Sequence, residues 1–385
     1  MILLTIDKHL DTRNKYSFQC TLLKDLNLRK HMLRKIWNSV SFKVIALAIC
    51  TIPSSGFSCT DFLLKAEDHT CIVGRSLEFA QILPTRVQLF PKGEQFQSPA
   101  PNNQKGMQWT SKYAFVGMVI LPSKAISDGF NEKGFSVGAL WMPGTEYPAV
   151  SLAPADTMIH FADIMAWLLG NVETVEEAKN ALEKMHVYSD KVAGFSIIPP
   201  VHLSLHDANG KSGVVEFIKG KVNIYDNPVD VLTNAPEYPW HLTNLSNYIN
   251  LSPVNAGELK IGNAVITATG QGTGFLGVPG DWTPPSRFVR TALFKNAMGA
   301  PKTGKAGINA AFHLLNTVDI PYGTVREKES NSGDFTQWIV VKDLTNKKLY
   351  VRTYGDLNIR EFDFLNGDQN SQEAKKGIDL QTQAL

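Results

Sequence analysis

The sequence is poor in cysteine and has almost no net charge. Four cysteines in 385 residues exclude a small scaffold held together by disulfides. The 38 basic and 36 acidic residues give a formal charge of +2, which excludes a strongly polybasic or polyacidic protein. No Cys-x-x-Cys motif occurs, so no zinc site is predicted, and neither is another metal or a cofactor. The 29 glycines and 20 prolines are close to average usage, which excludes collagen-like and low-complexity classes.

Long hydrophobic runs are also absent, and the most apolar segment is short. It covers residues 44–52, whereas a membrane span needs about 20 residues. Arg34, Lys35 and Lys43 precede it, and the small residues Gly56 and Ser58 follow it. A positive start, a short apolar centre and a small-x-small exit are the plan of a secretory signal. We therefore predict a signal peptide at 32–58, with a buried strand or helix as the alternative.

Cleavage after Ser58 has consequences for the start, the charge and the location of the protein. Met32 is the predicted start, which makes residues 1–31 an upstream extension or a wrongly assigned beginning. The segment before the cleavage point holds 9 basic and 3 acidic residues, which leaves 29 basic and 33 acidic residues in the remainder. The composition therefore gives no support for nucleic-acid binding. The predicted protein is secreted or periplasmic, with no membrane attachment once the signal is removed.

Blocks of strands alternate with blocks of helices along the mature chain. Strands are predicted at 62–65, 70–74, 86–90, 114–120, 125–131, 135–142, 201–206, 213–218, 221–225, 336–343, 348–354 and 358–364, and helices at 157–169, 174–185, 240–249, 286–298 and 306–317. Such blocks favour an α+β fold with mostly antiparallel sheets. Because apolar stretches such as 115–120 and 338–341 need cover on both faces, we expect two stacked sheets covered by helices, a four-layer αββα sandwich. It would form one domain, 59–367, followed by a polar tail at 368–385.

Cys59 would be the first residue of the mature chain. A cysteine at this position can be a structural thiol or a lipid-modified residue. It can also be a nucleophile whose own α-amino group, with a pKa of about 7.7–8.0, serves as the base. In the precursor this nitrogen belongs to a peptide bond, so cleavage and activation would be one event.

Two residues of the next predicted strand region have the chemistry to support Cys59. In Gly74-Arg-Ser-Leu-Glu-Phe, antiparallel pairing would bring Arg75 beside the thiol, where a guanidinium favours the thiolate. Glu78 could hold the α-ammonium group. A surface ion pair at a strand end is the alternative for both residues.

Five segments that occur in order carry a family resemblance. They are Cys59-Thr-Asp-Phe, Gly74-Arg-Ser-Leu-Glu-Phe, Asp128-Gly-Phe-Asn-Glu-Lys-Gly, Leu232-Thr-Asn-Ala-Pro and Pro279-Gly-Asp-Trp-Thr-Pro-Pro-Ser-Arg-Phe-Val-Arg. Together they resemble the choloylglycine hydrolase family, which contains conjugated bile salt hydrolases and penicillin V acylases of the N-terminal nucleophile superfamily. The resemblance covers residues 59–364. It implies hydrolysis of linear amide C–N bonds, an αββα sandwich and, as an assembly, a homotetramer.

The resemblance also implies roles for single residues. Cys59 matches the nucleophile, Arg75 the arginine against its thiol, and Asn234 the asparagine whose amide points into the oxyanion hole. Arg287 matches a second active-site arginine, and Trp141 falls where the family donates a backbone N–H to the oxyanion. Two donors suit acyl transfer, since each stabilises the developing oxyanion by about 2.7–4 kcal/mol.

Two departures from the family bear on substrate preference. Glu78 stands where bile salt hydrolases carry Asp, and the Trp141 indole stands where Asn or Tyr is common. The expected substrates join an apolar acyl group to a small polar amine: penicillin V, conjugated bile acids or N-acyl homoserine lactones. Trp141 favours penicillin V or long-chain acyl amides over bile salts. A catalytically silent binding protein and a Cys–His hydrolase are the alternatives, although the scattered histidines are interpreted as surface or core residues.

Overall fold

The computed structural model describes residues 58–150, 152–328, 333–367 and 376–380. The predicted upstream extension, the signal residues before Ser58, the Met32 start and most of the C-terminal tail lie outside the described residues. The strands are β1 Ser58–Lys65, β2 Cys71–Phe79, β3 Thr85–Phe90, β4 Gln95–Ala100, β5 Gln104–Thr110, β6 Phe115–Ile120, β7 Ala125–Asn131, β8 Ser136–Trp141, β9 Met158–His160, β10 His186–Tyr188, β11 Val201–His206, β12 Ser212–Ile218, β13 Lys221–Asp226, β14 Val231–Leu232, β15 Leu259–Ile261, β16 Ala264–Ile266, β17 Phe335–Asp343, β18 Lys348–Thr353, β19 Arg360–Phe362 and β20 Ile378–Leu380. The α-helices are α1 Ile164–Asn171, α2 Val175–Leu182, α3 Tyr238–Asn244, α4 Pro284–Met298 and α5 Gly304–Asn316.

Two large antiparallel sheets dominate the described chain. The six-stranded sheet has the order β14-β1-β2-β17-β18-β19, and the eight-stranded sheet has the order β13-β12-β11-β8-β7-β6-β3-β20. Three further pairs are separate: the antiparallel pairs β4–β5 and β15–β16 and the parallel pair β9–β10. In the six-stranded sheet, β1 and β17 flank β2, so residues distant in sequence meet along this strand.

Alternating side chains place apolar residues on both faces of the six-stranded sheet. Leu63 of β1 and Val340 of β17 pack between the two sheets. Phe62 and Ile339, their neighbours in sequence, face outwards and pack against Phe312 of α5. A third apolar cluster joins α1 and α2 to the outer face of the eight-stranded sheet. The layers therefore run helix, sheet, sheet, helix, which confirms the predicted αββα sandwich, and each fully buried side chain of this kind stabilises it by about 1.5–3 kcal/mol.

Local sequence signals explain where the helices begin. The Thr174 hydroxyl accepts a hydrogen bond from the Glu177 N–H at 3.2 Å and caps α2, as the sequence predicts. Thr303 caps α5 in the same way. Helix α4 begins with Pro284 and Pro285, whose missing N–H groups cost nothing in a first turn. That start places Arg287 near the N-terminal end of α4.

Strands β4 and β5 are absent from the prediction, and the structure also differs from it at two helices and at the tail. The helix predicted at 157–169 is wrong over its first half, because β9 pairs with β10 there and α1 begins only at Ile164. The helix predicted at 240–249 begins at Tyr238 and changes to a 3₁₀ turn at Leu245. The tail, predicted to be polar and outside the domain, contributes β20, whose Leu380 is 4% exposed and packs in the core between the sheets.

Candidate active site

Cys59 lies near the start of β1, where its side chain is almost completely buried. It is 4% exposed. Its Cα partner on β2 is Leu77, and the partner of Asp61 is Arg75. Residues 59 and 61 share one face of the strand because side chains alternate, so Arg75 stands diagonally across from Cys59 on that face. The pairing of β1 with β2 thus brings together the two residues that the sequence predicts as neighbours.

The Arg75 guanidinium is fixed by backbone carbonyls of the eight-stranded sheet. Its Nη1 donates to the Ser127 carbonyl at 2.5 Å, and its Nη2 donates to the Ala139 carbonyl at 2.5 Å. Nη1 also lies 3.4 Å from a carboxylate oxygen of Asp128. Arg75 is completely buried, and its charge lowers the pKa of the nearby Cys59 thiol. The cation is therefore held in place from the opposite sheet.

Asn234 and Arg287 lie on the other side of Cys59. Asn234 follows β14, and its Oδ1 accepts hydrogen bonds from the Cys59 backbone nitrogen at 2.8 Å and from Arg287 Nη2 at 2.6 Å. Arg287 Nη1 donates to the Cys59 carbonyl at 2.5 Å and to the Thr60 hydroxyl at 2.8 Å. These bonds fix the orientation of the Asn234 amide and tie the nucleophile candidate to α4.

Trp141 ends β8 and faces the site with both its backbone and its side chain. Its backbone N–H hydrogen-bonds the Cys59 thiol, and its carbonyl accepts from Asn234 Nδ2 at 2.8 Å. One Asn234 amide hydrogen is therefore engaged by the protein, and the second is the one available to a substrate oxygen. The Trp141 N–H and the Asn234 amide lie beside the sulphur, where a tetrahedral oxyanion would form.

Two buried carboxyl groups flank the residue before Cys59. Glu78 is the Cα partner of Ser58, is completely buried, and accepts a hydrogen bond from the Thr336 hydroxyl at 3.0 Å. Burial raises the pKa of Glu78 to about 8, although Arg287 acts to lower it. Asp334, which hydrogen-bonds Ser58, has its pKa raised to about 7 by burial. Sequence reasoning missed Asp334, for which the signal was an acidic residue just before the predicted strand 336–343.

Burial favours the protonated form of the Cys59 thiol. Burial raises its pKa above the ordinary value, and this effect outweighs the opposing charges of Arg75 and Arg287. Arg75 thus acts to lower the pKa of the thiol, as expected, but its charge does not offset the effect of burial. In this sequence the nitrogen of residue 59 belongs to a peptide bond and carries no charge.

His241 contacts the site through the backbone of Asn234. Its Nε2 lies 2.8 Å from the Asn234 carbonyl, and its ring stacks on Phe288 at 4.6 Å between centroids. Burial lowers the pKa of His241 to about 4, so the ring is neutral near pH 7. These contacts make His241 a support for the Asn234 loop, and the groups that act most strongly on the Cys59 thiol are Arg75, Glu78 and Arg287.

A pocket of about 770 Å³, which includes space open to solvent, begins at Cys59. Its walls come from β2, β7, β8, β11, α1 and the segments around Phe161 and Phe195. Apart from Cys59, its polar lining residues are Ser127 and Glu78. The apolar ones are Leu77, Leu83, Ile120, Ala125, Ile126, Ala139, Trp141, Phe161, Ala162, Met165, Val192, Phe195, Pro199, Val201 and Leu203. The pocket suits an apolar ligand group next to the Cys59 thiol.

The described residues show no group of three or more His, Cys, Asp or Glu side chains placed to hold a metal ion. Over the same part of the chain, no helix combines the length and the apolar character needed to cross a membrane.

Comparisons with known proteins give consistent results. The family of linear amide C–N hydrolases described as the choloylglycine hydrolase family matches residues 59–377. A bile salt hydrolase/transferase of Clostridium perfringens is 32% identical, with 82% of this chain and 95% of that protein aligned. A crystal structure of a mutant conjugated bile acid hydrolase from Clostridium perfringens is similar with a TM-score of 0.73 and 32% identity, covering 84% of this chain and 96% of that one. The penicillin V acylase of Agrobacterium tumefaciens gives a TM-score of 0.64 and 27% identity, with 79% and 86% covered.

Proposed function

Because the chain belongs to the choloylglycine hydrolase family of linear amide C–N hydrolases, we propose that it cleaves amides with Cys59 as the nucleophile. The observation that supports this most is the set of contacts around residue 59. Its backbone nitrogen is held by Asn234 at 2.8 Å, its sulphur receives the Trp141 N–H, and Arg75 and Arg287 lie close enough to favour a thiolate. The sulphur also opens onto the apolar pocket.

The nucleophile requires cleavage between Ser58 and Cys59. A peptide nitrogen is not basic, whereas a free α-amine with a pKa of about 7.7–8.0 can take the thiol proton near neutral pH. The resulting α-ammonium would lie where the nitrogen of residue 59 now donates to Asn234. Two carboxyl groups lie next to the preceding residue: Glu78 is the Cα partner of Ser58, and Asp334 hydrogen-bonds Ser58. We propose that the segment before Cys59 is a secretory signal, and that the mature protein is secreted or periplasmic. The family match also begins at Cys59.

The reaction follows from the positions of these groups. The Cys59 thiolate attacks the amide carbonyl, whose oxygen becomes negatively charged and is stabilised by the Trp141 N–H and the free hydrogen of the Asn234 amide. The α-ammonium then donates its proton to the leaving amine, which leaves a thioester on Cys59. A water molecule deprotonated by the same amine hydrolyses the thioester and releases the acid. The proton taken from the thiol thus ends on the amine product.

The pocket indicates the acyl group of the substrate. Ser127 and Glu78 are its polar lining residues besides Cys59, and the indole of Trp141 forms one wall beside the sulphur. A flat aryl or alkyl group suits this lining better than a steroid whose hydroxyl groups would need hydrogen-bond partners. We therefore propose penicillin V or long-chain acyl amides as preferred substrates, with N-acyl homoserine lactones and conjugated bile acids as the other members of the test set.

The test is to incubate the purified cleaved protein with penicillin V, glycine and taurine conjugates of bile acids and N-acyl homoserine lactones, and to measure the released amine. N-terminal sequencing of protein secreted by a bacterial host establishes whether the chain begins at Cys59. We expect release from at least one aryl or alkyl amide, and none after Cys59→Ala. Binding without release by protein that begins at Cys59 would contradict the proposal and indicate a binding protein.

A further inference from the structure

A buried polar cluster lies between the sheets, next to Arg75. Asp61 is two residues beyond Cys59 on the same face of β1, and its Cα partner across the strand pair is Arg75. Both side chains are completely buried. They approach the same point on β8, because a Cβ atom at Gly138 would lie 2.5 Å from Arg75 Nη1 and 3.3 Å from Asp61 Oδ2. The absence of a side chain at Gly138 therefore gives the carboxylate and the guanidinium room to face each other.

Asp61 is itself held by two residues of β11. His206 Nε2 lies 2.6 Å from Asp61 Oδ1, and the Ser204 hydroxyl donates to the same oxygen at 2.8 Å. His206 Nδ1 lies 2.7 Å from the Ser212 hydroxyl, which donates its own hydrogen to Asp230 at 2.8 Å. Both nitrogens of His206 thus face acceptors. With Oδ1 fixed in this way, the other carboxylate oxygen of Asp61 is left on the side of Arg75 and has no hydrogen-bond partner among the described residues.

Two cations, Arg75 and Lys342, share the cluster with the carboxylates of Asp61 and Asp128. Asp128 lies 2.6 Å from Lys342 Nζ and 3.4 Å from Arg75 Nη1, so its closer cation is Lys342. Against the effect of burial, the charge of Asp128 and, more weakly, that of Asp61 raise the pKa of Arg75. Burial acts to raise the pKa of Asp61, but His206, Lys342 and Arg75 together lower it to about 2. Asp61 is consequently a buried anion near neutral pH.

We infer that Asp61, fixed by His206 and Ser204, is a positioning residue that holds the Arg75 guanidinium against the Cys59 sulphur. This inference rests on the proposed nucleophilic role of Cys59. Asp61 touches neither the sulphur nor the apolar pocket, since it is not among the pocket-lining residues. It acts on the reaction through Arg75.

The measurement is the pH dependence of Cys59 alkylation by iodoacetamide in the cleaved protein, followed by the mass of the Cys59 peptide so that Cys71 does not contribute. A positioning role and a direct charge effect of Asp61 predict opposite changes in the pKa of the Cys59 thiol for Asp61→Asn. If Asp61 holds Arg75, its loss frees the guanidinium and raises the pKa of the thiol by about 1 or more. If Asp61 acted only through its own negative charge, its loss would lower that pKa. We expect the rise, together with a fall in kcat/KM on the order of 10²-fold.

Matched variants separate this role from general destabilisation. Asp207→Asn removes another buried carboxylate, 1% exposed, which accepts the Val175 N–H at 2.9 Å at the start of α2, and should leave the Cys59 profile unchanged. Gly138→Ala displaces Arg75 directly and should raise the thiol pKa as Asp61→Asn does. His206→Gln keeps a donor for Asp61, so it should retain most of the wild-type profile, whereas His206→Ala should not.

The outcomes distinguish this inference from the proposed function. An Asp61→Asn thiol pKa that falls or does not change overturns the positioning role. If Asp61→Asn does not fold, the His206→Ala and Ser204→Ala variants replace it in the test. Unchanged alkylation profiles in both variants would also overturn the positioning role of Asp61. If alkylation of Cys59 leaves amide hydrolysis intact, the nucleophile assignment fails, whatever the variants do to the profile.

Discussion

Replacing Asn234 by alanine separates transition-state stabilisation from substrate binding. The side chain makes three hydrogen bonds: it accepts from Cys59 N and Arg287 Nη2 and donates to the Trp141 carbonyl. It is 1% exposed, so water does not replace the lost partners easily. In the proposed mechanism its remaining amide hydrogen meets the oxyanion only when charge builds on the substrate oxygen.

The expected magnitudes follow from these contacts. Loss of one oxyanion donor should lower kcat by about 10²–10³, which corresponds to about 2.7–4 kcal/mol. Loss of the acceptor leaves a buried Arg287 N–H unsatisfied and should reduce the free energy of unfolding by about 1–3 kcal/mol. Arg287 keeps its bonds to the Cys59 carbonyl, the Thr60 hydroxyl and the Trp282 carbonyl, so the site should remain assembled.

The assay is steady-state hydrolysis of the best substrate, with kcat and KM determined separately and urea unfolding measured in parallel. Thr233→Val is the matched control, since it removes a neighbouring buried hydrogen bond, from the Thr233 hydroxyl to the Pro284 carbonyl at 3.0 Å, without touching the amide. It should reduce the free energy of unfolding about as much as Asn234→Ala does, and keep kcat within a few-fold of the wild type. A folded Asn234→Ala enzyme whose change lies only in KM would make Asn234 a substrate-binding residue and refute the reasoning.

Three further predictions address the nucleophile, the pocket and the buried carboxyl group. Cys59→Ser, correctly processed, should lose nearly all turnover because a hydroxyl is far less ionised than a thiol, and undiminished amine release would disprove the assignment. Trp141→Ala should widen the pocket and change the ratio of kcat/KM between aryl, alkyl and steroid substrates by about 10–200-fold, whereas an equal loss on every substrate would assign the indole to catalytic geometry. In the uncleaved protein the pKa of Glu78 is raised to about 8, so the folded state retains a proton that the unfolded state loses, and stability should fall as pH rises from about 4.5 to 8. Glu78→Gln should reduce the difference between the free energies of unfolding measured with urea at pH 5 and at pH 8. An unchanged difference in the variant would contradict the burial of a neutral Glu78.

The layers of the fold could be predicted because they follow from local pattern. Strand β6 is apolar throughout and β17 contains the apolar run 338–341, which demands cover on both faces, and the intervening helices carry caps such as Thr174. The strand β9 and the strand β20 could not be predicted in this way. Each has three residues, too few to show periodicity, and each exists only because a partner distant in sequence supplies its hydrogen bonds.

The candidate site shows the same division between local and long-range information. Arg75 could be placed beside Cys59 because their strands are adjacent in the chain and antiparallel. Asp334 could not, since it reaches the site through the pairing of β17 with β2, more than 250 residues from Cys59 along the sequence. The direction of the Asn234 amide also depends on Arg287 and Trp141, which belong to other elements. Motifs therefore identify the residues, and long-range pairing decides which atoms meet.

The buried charges around residue 59 are better matched to a cleaved chain than to the uncleaved one. Burial raises the pKa of Glu78 to about 8 and that of Asp334 to about 7, and Arg287, which lowers both, is itself shared with the Cys59 carbonyl, Thr60 and Asn234. Among the described residues, Arg287 is the cation that lowers the pKa of both acids. An α-ammonium group at Cys59 would supply a second cation, lower the pKa of both acids and favour the thiolate at the same time. Under the proposed mechanism, the same cleavage that creates the base thus also completes the charge balance that keeps it in place.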